Sequence, residues 1–228
     1  MAELIQEAGV PEGVVQIACG TGHGIGQTLV QHPGIDVVGF IGGTQTGKRI
    51  MADAAMNLKK VGLELGGKSA NIIHKSADIE RAINGSLMGI FAGNGEQCLA
   101  GSRIMVDESI ADDFIAAFTT RTKALKIGDP FDADTEIGPM AFGAHYEKLL
   151  EFSATANDDK QYKVLAGARK APGLGAGYFF EPTVVEASDN MSELCQEELF
   201  GPFVVIQRVS GLDDAIALAN QSDFGLAA

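Results

Sequence analysis

Tryptophan is absent from this chain, and cysteine and histidine are scarce at three and four residues. Cys19, Cys98 and Cys195 are far apart, odd in number and free of C-x-x-C spacing, which argues against a disulfide framework or a zinc site and for a reducing compartment. His23, His32, His74 and His145 show neither metal-ligand nor catalytic-dyad spacing. Each reads as an ordinary surface or internally satisfied histidine, and a Cys-His protease has little support. Cations are also in deficit, with 17 Lys plus Arg against 30 Asp plus Glu and a formal charge of −13. That balance disfavours tracking along a phosphate backbone or an anionic membrane, so no nucleic-acid partner is expected. Nowhere do about 18 apolar residues run together, and the acidic N-terminus lacks the basic, then apolar, plan of a secretory signal. The expectation is a cytoplasmic chain with no membrane partner.

What is present is glycine, 29 residues of it, punctuating short apolar runs. Residues 3–8 read as the tail of a helix closed by Gly9, with Pro11 unable to continue it. Residues 14–19 read as a buried strand entering the glycine-rich turn Gly20 to Gly26 and a short helix. A second strand over 36–41 runs into Gly42-Gly43-Thr44, a helix that ends near Lys60 follows, and 61–65 make a third strand. Strands alternating with helices through short glycine turns predict a parallel, doubly wound α/β sheet with ligands at the strands' carboxyl ends. Helix N-termini at such turns favour phosphates. Neither turn carries a diagnostic fingerprint: the glycines at 20, 22, 24 and 26 miss G-x-G-x-x-G, and Arg49 stands where a P-loop needs a hydroxyl.

Downstream, 69–73 is a short strand and Asp78 caps a helix with apolar positions Ile79, Ile83, Leu87 and Ile90. Strands follow at 104–106, 163–166, 182–185 and 203–209. Helices are expected from Ser109 and Asp112 as a capping pair, over 141–156 and over 212–220.

The chemistry centres on Gly93-Asn94-Gly95-Glu96-Gln97-Cys98-Leu99-Ala100-Gly101-Ser102-Arg103. A cysteine in a small, polar loop can present a thiolate to a substrate alongside backbone N–H donors. Glu64 ends an otherwise apolar strand at a Gly-Gly turn, where a carboxylate is expensive unless it is paired, hydrated or working. Together they suit acyl chemistry, with Cys98 as nucleophile and Glu64 as proton acceptor.

Glu64-Leu65-Gly66-Gly67-Lys68-Ser69, the Cys98 loop and Glu197-Glu198-Leu199-Phe200-Gly201-Pro202 resemble, in order and spacing, hallmark motifs of the NAD(P)-dependent aldehyde dehydrogenase superfamily. Gly128-Asp129-Pro130, Ile137-Gly138-Pro139 and Phe224-Gly225-Leu226-Ala227 extend the resemblance over essentially the whole chain. It implies an α/β fold: a partial Rossmann-like parallel sheet, the C-terminal half of a dinucleotide-binding domain over 1–66, then a C-terminally incomplete catalytic domain over 67–228. It further implies oxidation of a small-molecule aldehyde with NAD or NADP through a thiohemiacetal and thioester on Cys98. Glu64 would activate the hydrolytic water, and Cys98's own N–H would be one oxyanion donor. Glu198 would hold the nicotinamide ribose with Phe200 nearby, while Gly42, Gly43 and Leu65 would line the cofactor. Gly43 replaces a residue whose side chain usually contacts the pyrophosphate. The loop looks closest to members that oxidise semialdehydes from aromatic breakdown.

The chain resembles only the middle-to-late portion of such enzymes. Exposed sheet edges, poor solubility or a partner chain are therefore expected, with homo-oligomers once the other segments are supplied. A catalytically inactive fragment and a cofactor-independent thiol esterase are the other two readings.

Overall fold

The computed structural model describes residues 1–228, which separate into two compact units, Met1–Leu65 and Gly66–Ala228. No helix is long and apolar enough to cross a membrane.

In the first unit, helix α1 (Ala2–Glu7) stops ahead of Gly9, whose φ of 75° takes the chain out of the helical region. The strand expected over 14–19 does not form. Val14 and Ile17 are 67% and 57% exposed, because no neighbouring strand offers a hydrogen-bonding ladder and a lone apolar run cannot make one. A wide helical turn over Gly22–Gly26, capped by the Thr21 hydroxyl accepting from the Gly24 amide at 3.0 Å, leads into α2 (Gln27–Gln31). Strand β1 (Val37–Ile41), helix α3 (Thr44–Ala55) and strand β2 (Lys60–Glu64) follow, and α3 ends earlier than expected. The strands are parallel, Phe40 facing Leu63 and Ile41 facing Glu64. Only one face is covered: Val38 and Phe40 are half-buried, whereas Val37 and Ile41 point outward.

The second unit is a five-stranded sheet in the order β3-β4-β7-β6-β5. Its strands are β3 (Ala70–Ile73), β4 (Arg103–Asp107), β5 (Tyr162–Ala166), β6 (Thr183–Ala187) and β7 (Phe203–Val209). All pairs are parallel except β5 with β6. Helices α4 (Ile79–Phe91) and α5 (Ala111–Lys123) cover one face, where Ile83, Ile90, Phe114 and Phe118 meet Ile104, Val184 and Ile206. Helix α6 (Gly143–Asp158) and the short α7 (Glu193–Gln196) cover the other, packing Leu149, Phe152 and Leu194 on Val185, Phe203 and Val205. Helix α8 (Leu212–Ala219) seats Ala215 by Met105 and Val209. Burial on both faces explains why β7 reads as a nearly continuous apolar run.

Asp78 caps α4 as expected, accepting from the Arg81 amide at 3.0 Å. The capping pair at α5 does not form. Ser109 turns back to donate to Asp107 at 2.6 Å, and Asp112 is drawn into an ion pair with Arg208 at 2.7 Å. A tertiary charge partner outcompetes the local cap here.

Candidate active site

Helix α4 delivers the chain to the Cys98 loop through three consecutive left-handed residues, Gly93, Asn94 and Gly95, with φ of 57°, 59° and 67°. Asparagine tolerates this region best among residues with a side chain. Its amide is used twice, Nδ2 donating to the Pro139 carbonyl at 2.9 Å and Oδ1 accepting from the Gly138 amide at 3.0 Å. At Gly95 a Cβ would collide with the Gly201 carbonyl, so only glycine lets the two backbones touch. Glu96 accepts from the Ala141 amide, and Gly101 donates to the Gly89 carbonyl, each near 3 Å. Five contacts thus fix the loop against three segments.

Cys98 itself is half-buried. Its amide N–H donates no hydrogen bond within the chain, while the amides of Ala100, Gly101 and Ser102 are all engaged. Its carbonyl lies against Gly67, where a Cβ would strike it. Gly67 in turn donates its N–H to Glu198 Oε1 at 3.1 Å, and the missing Cβ of Gly66 makes room for that carboxylate. The Gly-Gly pair therefore joins Cys98 to Glu198, two residues 100 positions apart in sequence.

Phe200 is 38% exposed and holds a φ of 53°, a strained region for a bulky residue. His145 supports it, donating from Nε2 to the Phe200 carbonyl at 2.6 Å and packing edge-on against its ring. The histidine is internally satisfied, as expected, and its partner sits beside the site.

Beneath the Gly-Gly pair lies a buried polar group. Lys68 is fully buried and its Nζ has no hydrogen-bond partner in the chain. Burial pulls its pKa down to about 7, opposed by Cys195 and the carboxylates of Glu198 and Glu197. Arg103, also buried, donates from Nε to the Lys68 carbonyl at 3.0 Å and from Nη2 to the Ala219 carbonyl at 3.0 Å. Burial pushes the Cys195 thiol up, away from the reactive thiolate form. Cys195 is thus structural and Cys19 lies exposed on the segment that lacks a strand, leaving Cys98 as the cysteine placed for chemistry.

Glu64, Leu65, Gly42 and Gly43 belong to the first unit. Gly42 donates its N–H to the Glu64 carbonyl at 3.0 Å, and Leu65 packs on Gly47 of α3. The Glu64 side chain is exposed, so the desolvation argument that singled it out does not hold within this chain. Solvent already hydrates the carboxylate at the strand's end. Gly43 caps α3 without a side-chain acceptor and has open space where a Cβ would stand, so the first amides of a 12-residue helix are available to an anion. Beside them a cavity of about 480 Å³ is walled by Leu29, Val30, Val38, Phe40 and Ile50, with Arg49 at its side.

Sequence reasoning missed Lys68, Arg103, His145 and this cavity. The alternating glycines from Gly20 to Gly26 were the available signal for the cavity, since they let the backbone line it. Nothing local marks Lys68 or His145, whose partners are remote.

The aldehyde dehydrogenase family profile matches residues 1–228. The chain is 38% identical over 226 residues to betaine aldehyde dehydrogenase of Bacillus subtilis, covering 99% of this chain and 46% of that one. It is 42% identical over 228 residues to an aldehyde dehydrogenase of Aspergillus niger, covering 100% of this chain and 45% of that one. Betaine aldehyde dehydrogenase of Staphylococcus aureus, solved in complex with NAD+, superposes with a TM-score of 0.94 at 40% identity, over 98% of this chain and 45% of that one. The chain spans a little under half the length of the curated relatives it matches.

Proposed function

This chain belongs to the aldehyde dehydrogenase family, and from that premise we propose that it carries out, or supplies the catalytic cysteine for, NAD(P)-dependent oxidation of an aldehyde to a carboxylic acid. The observation that carries the reading is the Cys98 loop: rigidly held, half-buried and with its amide N–H uncommitted. A locked loop fixes the nucleophile without entropy loss at the moment of reaction.

The Cys98 thiolate adds to the aldehyde carbon, and the oxygen that becomes negative is met by the Cys98 N–H. The cofactor, when bound, supplies the acceptor for the hydride leaving that carbon, which turns the adduct into a thioester on Cys98. Glu64 takes a proton from the water that hydrolyses the thioester, releasing acid and free thiolate.

Residues 1–66 serve as cofactor-binding part and 67–228 as catalytic part. The N-terminus of α3 with Gly42 and Gly43 suits a pyrophosphate, and the apolar cavity by Arg49 suits a flat adenine. Leu65 would line the cofactor, Glu198 would hold the nicotinamide ribose and Phe200 would pack beside it. The setting is reducing and cytoplasmic, and the working state, once the remaining segments are supplied, a homo-oligomer.

The test is NADH or NADPH formation with betaine aldehyde and an aromatic-pathway semialdehyde, measured beside ester hydrolysis. Cys98→Ser should lower the first on the order of a thousandfold. If wild type and Cys98→Ser are equally inactive in both assays, the chain is a non-catalytic fragment; Cys98-dependent ester hydrolysis without nucleotide reduction makes it a thiol esterase.

A further inference from the structure

Cys98 and Glu198 lie just ahead of β4 and β7, at the amino ends of the second unit's strands. At the carboxyl ends of β6 and β7, beside the start of β5, is a separate cavity of about 440 Å³. Gln207 and Asn190, only 3% and 5% exposed, are among the residues that line it. Gln207 Oε1 and Asn190 Oδ1 are buried with no hydrogen-bond partner in the chain. The orientation of the Asn190 amide is set by its nitrogen, which donates to the Leu218 carbonyl at 3.1 Å and to Gln221 Oε1 at 3.2 Å. Its oxygen is therefore left as a free acceptor. Two such unmet acceptors ask for a donor.

Lys160 and Lys163 also line the cavity, are exposed and enter no ion pair. The other charges there are already committed, Glu186 to Arg208 at 2.6 Å and Arg208 also to Asp112 at 2.7 Å. What remains uncommitted is a pair of buried acceptors and a pair of exposed ammonium groups.

We propose that this cavity is a binding site for a small aminocarboxylate, its ammonium group donating to Gln207 Oε1 and Asn190 Oδ1 and its carboxylate meeting Lys160 and Lys163. An ammonium offers up to three donors, enough for both amide oxygens at once. A ligand with one end only would leave either the buried acceptors or the lysines unmatched. The volume lies at the small end of the range for ligand sites. The site is independent of the chemistry at Cys98 and stands whether or not the chain oxidises aldehydes.

Calorimetric titration of the full chain tests it with glycine, β-alanine and 4-aminobutyrate, which step the distance between the two charges, against butyrate and butylamine as one-ended controls. At least one aminocarboxylate should bind about tenfold more tightly than either control, the factor set by one charged hydrogen bond. Gln207→Leu should weaken that binding about tenfold with the protein still melting cooperatively. Lys163→Gln, on the exposed rim and free of folding consequences, should weaken it several-fold and reduce its salt dependence. The proposal is overturned if all five compounds bind equally weakly, in which case water satisfies the two oxygens. It is equally overturned if folded Gln207→Leu, or Lys163→Gln where Gln207→Leu does not fold, keeps full affinity.

Discussion

In residues 1–65 the loop bearing Gly42 and Gly43 leaves the carboxyl end of β1, and Glu64 closes the carboxyl end of β2. In residues 66–228 the loops bearing Cys98 and Glu198 arrive at the amino ends of β4 and β7 instead. The two also differ in how they are held. Around Gly43 the backbone is open and uncapped, as an anion site requires, whereas around Gly95 it is pressed against Gly201 and tied through Asn94 to Gly138 and Pro139. Open backbone suits reversible binding of a ligand that brings its own hydrogen bonds. Interlocked backbone suits a nucleophile that must not move. The rule that α/β sheets bind ligands at strand carboxyl ends thus describes the first unit's glycine loop and not the second unit's cysteine.

The contrast in rigidity can be broken most directly by Gly95→Ala. The added methyl meets the Gly201 carbonyl and requires a left-handed backbone, so a loss of about 2–4 kcal/mol in urea unfolding is expected, with Cys98-dependent activity lost alongside. A loss below about 0.5 kcal/mol would show the loop to be far looser than its contacts indicate.

Next in size is Lys68→Met. The Lys68 pKa falls from 10.5 unfolded to about 7 folded. The unfolded chain therefore holds the extra proton between those values, and Lys68 makes stability rise with pH from about 7 toward 10.5. Below pH 7 the buried charge is a full penalty. The variant should be more stable by about 1–3 kcal/mol at pH 6.5 and should lose most of the wild-type rise by pH 9.5, read from melts at both. An unchanged slope would place a compensating charge beside Nζ.

His145→Ala removes the donor that supports the strained Phe200 carbonyl. A loss of about 1 kcal/mol is expected, with the cofactor KM raised several-fold and kcat less affected. The smallest effect belongs to Gly43→Ala, whose methyl finds open space: stability should stay within about 0.5 kcal/mol while cofactor affinity falls. If stability fell as far as in Gly95→Ala, the distinction between open and interlocked glycines would collapse.

Much of this fold is legible without coordinates, and where it is not the reasons are physical. Strand β7 spans Phe203–Val209, the run expected, because burial on both faces leaves an uninterrupted apolar signal. Asp78 is a readable cap because its partner is three residues away. Residues 14–19 carry the same apolar signal as β7 without a strand to pair with, and strand formation is decided by pairing. The antiparallel insertion of β5 beside β6 leaves no local mark. Asp112 looks like a cap and serves Arg208, which lies 96 positions away. At the site, Cys98 stands out by its glycine-rich company and Glu198 only through the resemblance of its 197–202 run to a family motif, whereas a lysine after two glycines reads as a surface residue until the sheet closes over it.

The graded exposure of the three thiols, Cys19 open, Cys98 half-shielded and Cys195 enclosed, gives the molecule a chemical ruler of its own. A maleimide reagent should label Cys19 at once and Cys98 more slowly. Cys195 should react only on the timescale at which the second unit opens, so counting modified sulfurs over time would report local breathing and global unfolding in one untagged sample.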